Sequence, residues 1–256
     1  MLFRSTQALE KASVPVISSE RAIVVLYSAM GVVLGLLFGR LSPASEVRQD
    51  KSLAGGQRTL LGLSASRGVV FRLSGLFALD AFGGGFIVQS FAAYWFYLRF
   101  GVDPATLGGI FFGANVLAGL SALVAPRLAA RFGLIRTMVF THLPSNILLV
   151  LIPLRPNLPL AVLTLFLRFS ISQMDVPTRQ SYTMAIVHAE ERSAAAGITG
   201  IARTTGAALA PVFTGLLFAR PSLINVPFFI AGTLKIAYDL ALYRAFVRVQ
   251  PPEEVR

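Results

Sequence analysis

Apolar residues gather into seven long runs, near 22–39, 73–98, 105–126, 136–154, 158–176, 194–219 and 223–246. Each is close to the ~20 residues that a helix needs to cross hydrocarbon. None alternates apolar and polar with period two, as barrel strands do, so the runs are predicted to be helices. The spacing is uneven. One run comes first, a polar and basic segment fills 40–72, and six more follow in close succession. The connections among the six are short and carry turn formers, such as Gly101-Val102-Asp103-Pro104, Arg155-Pro156-Asn157-Leu158-Pro159 and Arg220-Pro221-Ser222. Short connections make successive helices antiparallel neighbours. The one-plus-six pattern therefore predicts four parts: an N-terminal extracytoplasmic segment with the last helix of a preceding bundle (1–39), a linker (40–72), a complete six-helix bundle (73–246) and a tail (247–256).

Composition supports an all-α integral membrane protein. Hydrophobic residues make up 55% of the 256 positions and charged residues 14%, with a mean hydropathy of +0.69. That leaves too little charge to coat a soluble domain of this size. The first 21 residues carry Arg4, Glu10, Lys11, Glu20 and Arg21 and no long apolar region before a small-residue site, so no cleavable signal peptide is expected. With no cysteine and two histidines, His142 and His188, neither a disulfide, a metal centre nor any other cofactor is expected.

A formal net charge of +11 invites a nucleic-acid partner, and the positions of the charges argue against one. If the spans alternate, Arg40, Arg48, Lys51, Arg58, Arg67, Arg72, Arg127, Arg131, Arg136, Arg179, Arg192, Arg244, Arg248 and Arg256 fall on one side. Arg4, Lys11, Arg21, Arg99, Arg155 and Arg220 fall on the other. The excess marks the cytoplasmic face of a cell membrane, inner membrane in a bacterium, and predicts a cytoplasmic linker and C-terminus. Within the linker, Leu60, Leu61 and Leu63 form an apolar patch, either an interfacial helix or a loop. Gly31, Gly35 and Gly39, and Gly109 with Gly113, recur at every fourth position and predict close helix packing.

Three features together resemble the major facilitator superfamily, specifically its carboxy-terminal half: the sixth helix, the central loop and helices seven to twelve, the last six as two inverted three-helix repeats. The first is the helix, basic loop and six-helix architecture. The second is Ala130-Arg131-Phe132-Gly133-Leu134-Ile135-Arg136 after the third span, similar to the family's loop signature, with Ala130 where the acidic residue stands. The third is the stretch from Gln173 to Gln180, followed by Glu190-Glu191-Arg192-Ser193 leading into a small-residue helix with Gly206, Pro211 and Gly215. The resemblance implies secondary transport of a small solute by alternating access around a midplane site. It also implies that the amino-terminal half is a separate or missing partner.

Ionisable residues at a helix centre cost about 2.5–3.5 kcal/mol each on insertion scales, so those present need a cavity, a partner or a nearby interface. Thr164, Arg168, Ser172, Asp175 and Arg179 line one helical face of the fifth span. Arg168 and Ser172 point to a solute cavity, and Asp175 with Arg179 to an ion pair near the cytoplasmic end. Arg131 and Arg136 join that gate region through the resemblance. Asp80 precedes Gly83-Gly84-Gly85 in the second span, either as a proton carrier or as the counter-charge of Arg168 or Arg203. Gln89 faces solute or a neighbouring helix. Arg203, among Thr199, Thr204 and Thr205, suits an anionic solute or pairs with a carboxylate. Lys235 and Asp239, four apart, are placed to pair with each other. Asn115, His142 and Asn146 are expected to bond between helices.

Other classes fit less well. A retinal-type seven-helix protein needs carboxylates in its third helix, and 105–126 contains none. An enzyme needs a nucleophile–base set or metal cluster, absent at usable spacing. A truncated, non-transporting membrane protein or helix-bundle scaffold stays open as the alternative.

Overall fold

A computed structural model describes residues 16–40 and 61–249. Residues 41–60 of the linker and the tail beyond Val249 lie outside the described residues, as does the N-terminal segment before Val16. The chain divides into two compact units, 1–56 with 103–109 and 57–102 with 110–256. In the first unit, α1 (Val16–Gly39) carries an apolar stretch, Val24–Leu37, whose side chains are exposed.

The second unit holds eight further helices, with α4 beginning at the boundary: α2 (Arg67–Gly85), α3 (Gln89–Phe100), α4 (Pro104–Phe132), α5 (Leu134–Leu151), α6 (Leu158–Ser172), α7 (Asp175–Ile186), α8 (Arg192–Phe218) and α9 (Val226–Phe246). They make six spans long and apolar enough to cross a membrane: Arg67–Phe100, Pro104–Phe132, Leu134–Leu154, Leu158–Ile186, Ala189–Phe218 and Pro221–Phe246. The predicted six are therefore present. Two of them, α2–α3 and α6–α7, are broken helices. Large apolar side chains such as Leu123, Ile201 and Leu216 point outward, as lipid-facing or helix-facing surfaces do.

The breaks and turns have local causes. After Gly85 the chain runs through Phe86 and Ile87 to an extended Val88 before α3 begins at Gln89. Gly101, at φ +65°, closes α3 with its N–H on the Tyr97 carbonyl, 2.9 Å away. Gly133, at φ +87°, turns α4 into α5 in a single residue, a conformation that favours glycine. Asp103 caps α4: its carboxylate accepts from the Ala105 and Thr106 amides at 2.9 and 3.0 Å and from the Thr106 hydroxyl at 2.5 Å.

In the second unit α2 packs on α8 and α9, and α5 packs on α6, α7 and α9. The core joins Leu73 and Phe77 of α2, Met138 and Val139 of α5, Tyr182 of α7 and Tyr238 and Leu242 of α9. A smaller cluster holds Leu63, Val70, Val187 and Ala195. Leu61 and Gly62, both at positive φ, form a turn that inserts Leu63 into this cluster. The described part of the linker's apolar patch is thus neither an interfacial helix nor a free loop.

Close helix approach occurs at glycines other than the predicted repeats. Of the predicted repeats in α4, Gly109 has nothing within 4 Å, while Gly113 meets the Phe166 ring. The tight contacts are Gly232 of α9 against the Val150 side chain of α5, Gly206 against the Ala78 carbonyl, and Gly85 against the Ala207 carbonyl and Ala210 Cβ, the last two atoms both at 2.7 Å from an added Cβ. Gly85 thus serves α2–α8 packing, while Gly83 and Gly84 lie against Ala231, Leu234 and Lys235 of α9, just before the helix break.

Candidate functional site

Eight Asp, His, Arg and Lys side chains stand seven or more residues inside their spans: Asp80, His142, Arg168, Asp175, Arg179, Arg203, Lys235 and Asp239. Arg179 and Asp239 come nearest to an end, seven residues before Ile186 and Phe246, about 10 Å of helix rise. Charges at such depth require partners.

Six of them meet in one buried network. Asp80 on α2 accepts from Lys235 Nζ on α9 at 2.5 Å through Oδ1, and from Arg179 Nη1 on α7 at 3.0 Å through Oδ2. The other arm of the Arg179 guanidinium lies 2.9 Å from Asp175 Oδ2, an ion pair one turn apart that lacks hydrogen-bond alignment. Arg179 also stacks over the Phe77 ring at 5.4 Å. On α9, Asp239 receives His142 Nδ1–H at 2.8 Å and the Asn146 amide at 2.8 Å, both from α5. His142 Nε2 faces Asp80 Oδ1 across 3.8 Å, which joins the two halves of the network. Four helices are thereby tied at one depth: α2, α5, α7 and α9.

Two sequence expectations change. Asp80 neutralises Arg179 and Lys235, and not Arg168 or Arg203. Lys235 and Asp239 turn to different partners, Asp80 and the His142–Asn146 pair. The reason is helix rotation: neighbours carry groups that reach these side chains across the interface with better geometry than an i,i+4 pair on one helix. His142 and Asn146 bond between helices as expected, with Asp239 as their partner. With Lys235, their sequence signal was two matched i,i+4 polar pairs on otherwise apolar helices.

The remaining candidates stand apart from the network. Arg168 on α6 has no hydrogen bond or ion pair among the described residues; its guanidinium lies 5.3 Å from the Phe169 ring and its Nε is shielded from solvent without a partner. Ser172, one turn on, is buried with its hydroxyl unpartnered. Gln89 is exposed at the start of α3 and accepts from the Asn115 amide at 3.2 Å. Arg203, half-buried on α8, has no ion pair among the described residues. Arg131 and Arg136 are exposed beside the α4–α5 turn, Arg131 over the Phe132 ring, and neither makes an ion pair.

The sequence reading missed a second polar junction. Glu191, between α7 and α8, accepts from the Ser64 amide at 2.6 Å, the Ser64 hydroxyl at 2.5 Å and the Ala65 and Ser66 amides at 3.0 and 2.9 Å. It thereby caps the residues leading into α2. The acidic pair Glu190-Glu191 was visible; its distant partner was not.

Six apolar spans, two of them broken, enclose a mid-depth ionic network. Residues 73–256 match the profile of the Major Facilitator Superfamily. The chain belongs to the Major Facilitator Superfamily. It is also 31% identical over 182 residues to a Saccharomyces cerevisiae (strain ATCC 204508 / S288c) protein described as an uncharacterized membrane protein. The alignment covers 71% of this chain and 40% of that protein, so the chain spans less than half of its relative. No solved structure matches. The major facilitator match begins at Leu73, within α2, and takes in all six spans of the second unit, network included. Members of this family are membrane transporters.

Proposed function

We propose that this major facilitator chain forms the carboxy-terminal half of a secondary transporter that moves a small solute by alternating access. In this reading α1 ends a preceding bundle, 40–72 is a cytoplasmic linker, and the C-terminus is cytoplasmic. The observation that carries it is the buried network linking α2, α5, α7 and α9 through Asp80, Arg179 and Lys235 at distances of 2.5–3.0 Å. Burying three carboxylates and two cations is costly, and their removal for apolar residues is often neutral or stabilising. Such a network is retained where it specifies or switches a helix arrangement.

Asp80 sits where a proton or a solute charge would loosen α2 from α7 and α9. Arg131 and Arg136, exposed at the α4–α5 turn, belong in this reading to the cytoplasmic gate. Solute uptake by cells producing the chain, alone and together with a six-helix amino-terminal half, tests the proposal. Uptake is expected in at least one arrangement and is expected to collapse in Asp80→Asn. Absence of uptake of any solute in both arrangements overturns it.

A further inference from the structure

We propose that Arg168 and Ser172 form the recognition point for the carboxylate of a small monoanionic solute. The inference deepens the transport reading and rests on it for the word solute. Asp80, Asp175, Arg179, Lys235 and Asp239 are all paired within the network. Of the two mid-span arginines without an ion pair among the described residues, Arg168 and Arg203, only Arg168 has a solvent-shielded nitrogen, Nε, left without a partner. The Ser172 hydroxyl, four residues on and on the same helical face, is also buried and unpartnered. Two unmet donors on one face are what an acceptor-only group satisfies, and a guanidinium fork matches a carboxylate in two parallel bonds.

Charge and size narrow the class. Asp80, Asp175, Arg179, Lys235 and Asp239 answer one another within the network, which leaves the Arg168 guanidinium a cation with no counter-charge in contact. One unanswered guanidinium favours an anion over a cation, and its fork favours a carboxylate. Arg168 lines a cavity of about 50 Å³ with Gln89, Phe111, Phe169 and Phe228. Besides Arg168, that wall offers the Gln89 amide and otherwise aliphatic and aromatic surface, suited to a carboxylate with a short apolar remainder.

The test is thermal unfolding of the purified full chain in detergent, titrated with butyrate, with butyramide as the neutral isostere and chloride as the ionic control. Ligand that binds the folded state raises Tm. Butyrate is expected to raise Tm where butyramide and chloride do not. Arg168→Gln is expected to weaken the apparent butyrate affinity about tenfold or more. Its unliganded Tm is expected to hold or rise, because no pair is lost. Ser172→Ala, which breaks no internal hydrogen bond, is expected to weaken butyrate binding in the same direction. Equal stabilisation by butyramide, no response to butyrate, or an unchanged response in both variants overturns the proposal. If Arg168→Gln does not fold, Ser172→Ala alone decides. Proteoliposome uptake separates the two readings: butyrate binding without uptake leaves the anion site and overturns transport. Uptake confined to neutral or cationic solutes and indifferent to Ser172→Ala does the reverse.

Discussion

At the scale of single residues, Asp80 is the hinge of the electrostatics because two cations depend on it and only one of them has another counter-charge. Arg179 keeps Asp175 at 2.9 Å, whereas Lys235 has Asp80 alone within ion-pair distance. Asp80→Asn therefore strands Lys235 and is expected to cost about 3–5 kcal/mol. Lys235→Met leaves Asp80 held by Arg179 and costs less. The double variant Asp80→Asn, Lys235→Met should be less destabilised than the sum of the singles by about 1–3 kcal/mol, read as a double-mutant cycle in detergent. Strict additivity would show that the contact carries no energy. Asp103 gives a pH-dependent case outside the spans. Hydrogen bonds from the Thr106 side chain and amide, then from Ala105, hold its carboxyl below the ordinary value. A folded-state value below the unfolded one means stabilisation that is complete above about pH 4 and lost as pH falls through the folded value. The Tm gap between wild type and Asp103→Ala should be open at pH 6 and close as the medium is made strongly acidic. A gap that persists unchanged at low pH contradicts a charge-based cap. Which charges lie within the spans was legible from sequence, since a charge in an apolar run announces itself. Which residue each would touch was not. The answer depends on how α5, α7 and α9 rotate about their axes, and period counting within one helix carries no information on that.

Among the elements, the α2–α8 contact depends on the absence of a Cβ. An alanine Cβ at Gly206 would collide with the Ala78 carbonyl of α2, a backbone atom that cannot step aside. Gly206→Ala is expected to cost about 1–3 kcal/mol as the helices part. Gly200→Ala, on the same helix with nothing within 4 Å, should be neutral or slightly stabilising. Similar Tm losses in both would mean that helix packing is not what Gly206 serves. Glu191 works at the same scale, holding the entry of α2 from the α7–α8 connection. Glu191→Ala should loosen residues 64–66 and lower stability by about 1–2 kcal/mol. Faster amide exchange there, with exchange near Gly101 unchanged, would report it. Span positions were legible because apolar length is a strong signal. The breaks at 86–88 and 173–174 were less so, because neither contains proline and hydrophobic length gives the extent of a span, not the residue at which its helix parts. Glycine spacing was a partial guide to contacts within the second unit: Gly113 of the 109–113 repeat meets Phe166, while glycines outside any repeat, in α2, α8 and α9, make the tightest approaches.

For the whole molecule, the positive-inside bias makes a prediction that the helices alone do not, because an antiparallel bundle looks the same inserted either way up. The absence of cysteine makes it simple to check. Ser193 and Ser222 are both exposed and lie at opposite ends of α8, one at its start and the other in the turn before α9. A single cysteine at each position supplies a reporter in an otherwise unreactive chain. With the C-terminus cytoplasmic, Ser222→Cys in intact cells should react with a membrane-impermeant maleimide, and Ser193→Cys should react only after the membrane is opened. The reverse pattern would invert the topology and move Arg131, Arg136 and the linker to the outer face. It would also displace the proposed cytoplasmic gate, while leaving the mid-depth network and the unpaired Arg168 at the same level of the bilayer. The orientation and the site thus fail independently. Labelling of both cysteines from one side would be the more serious result, because it would require α8 not to cross the membrane at all.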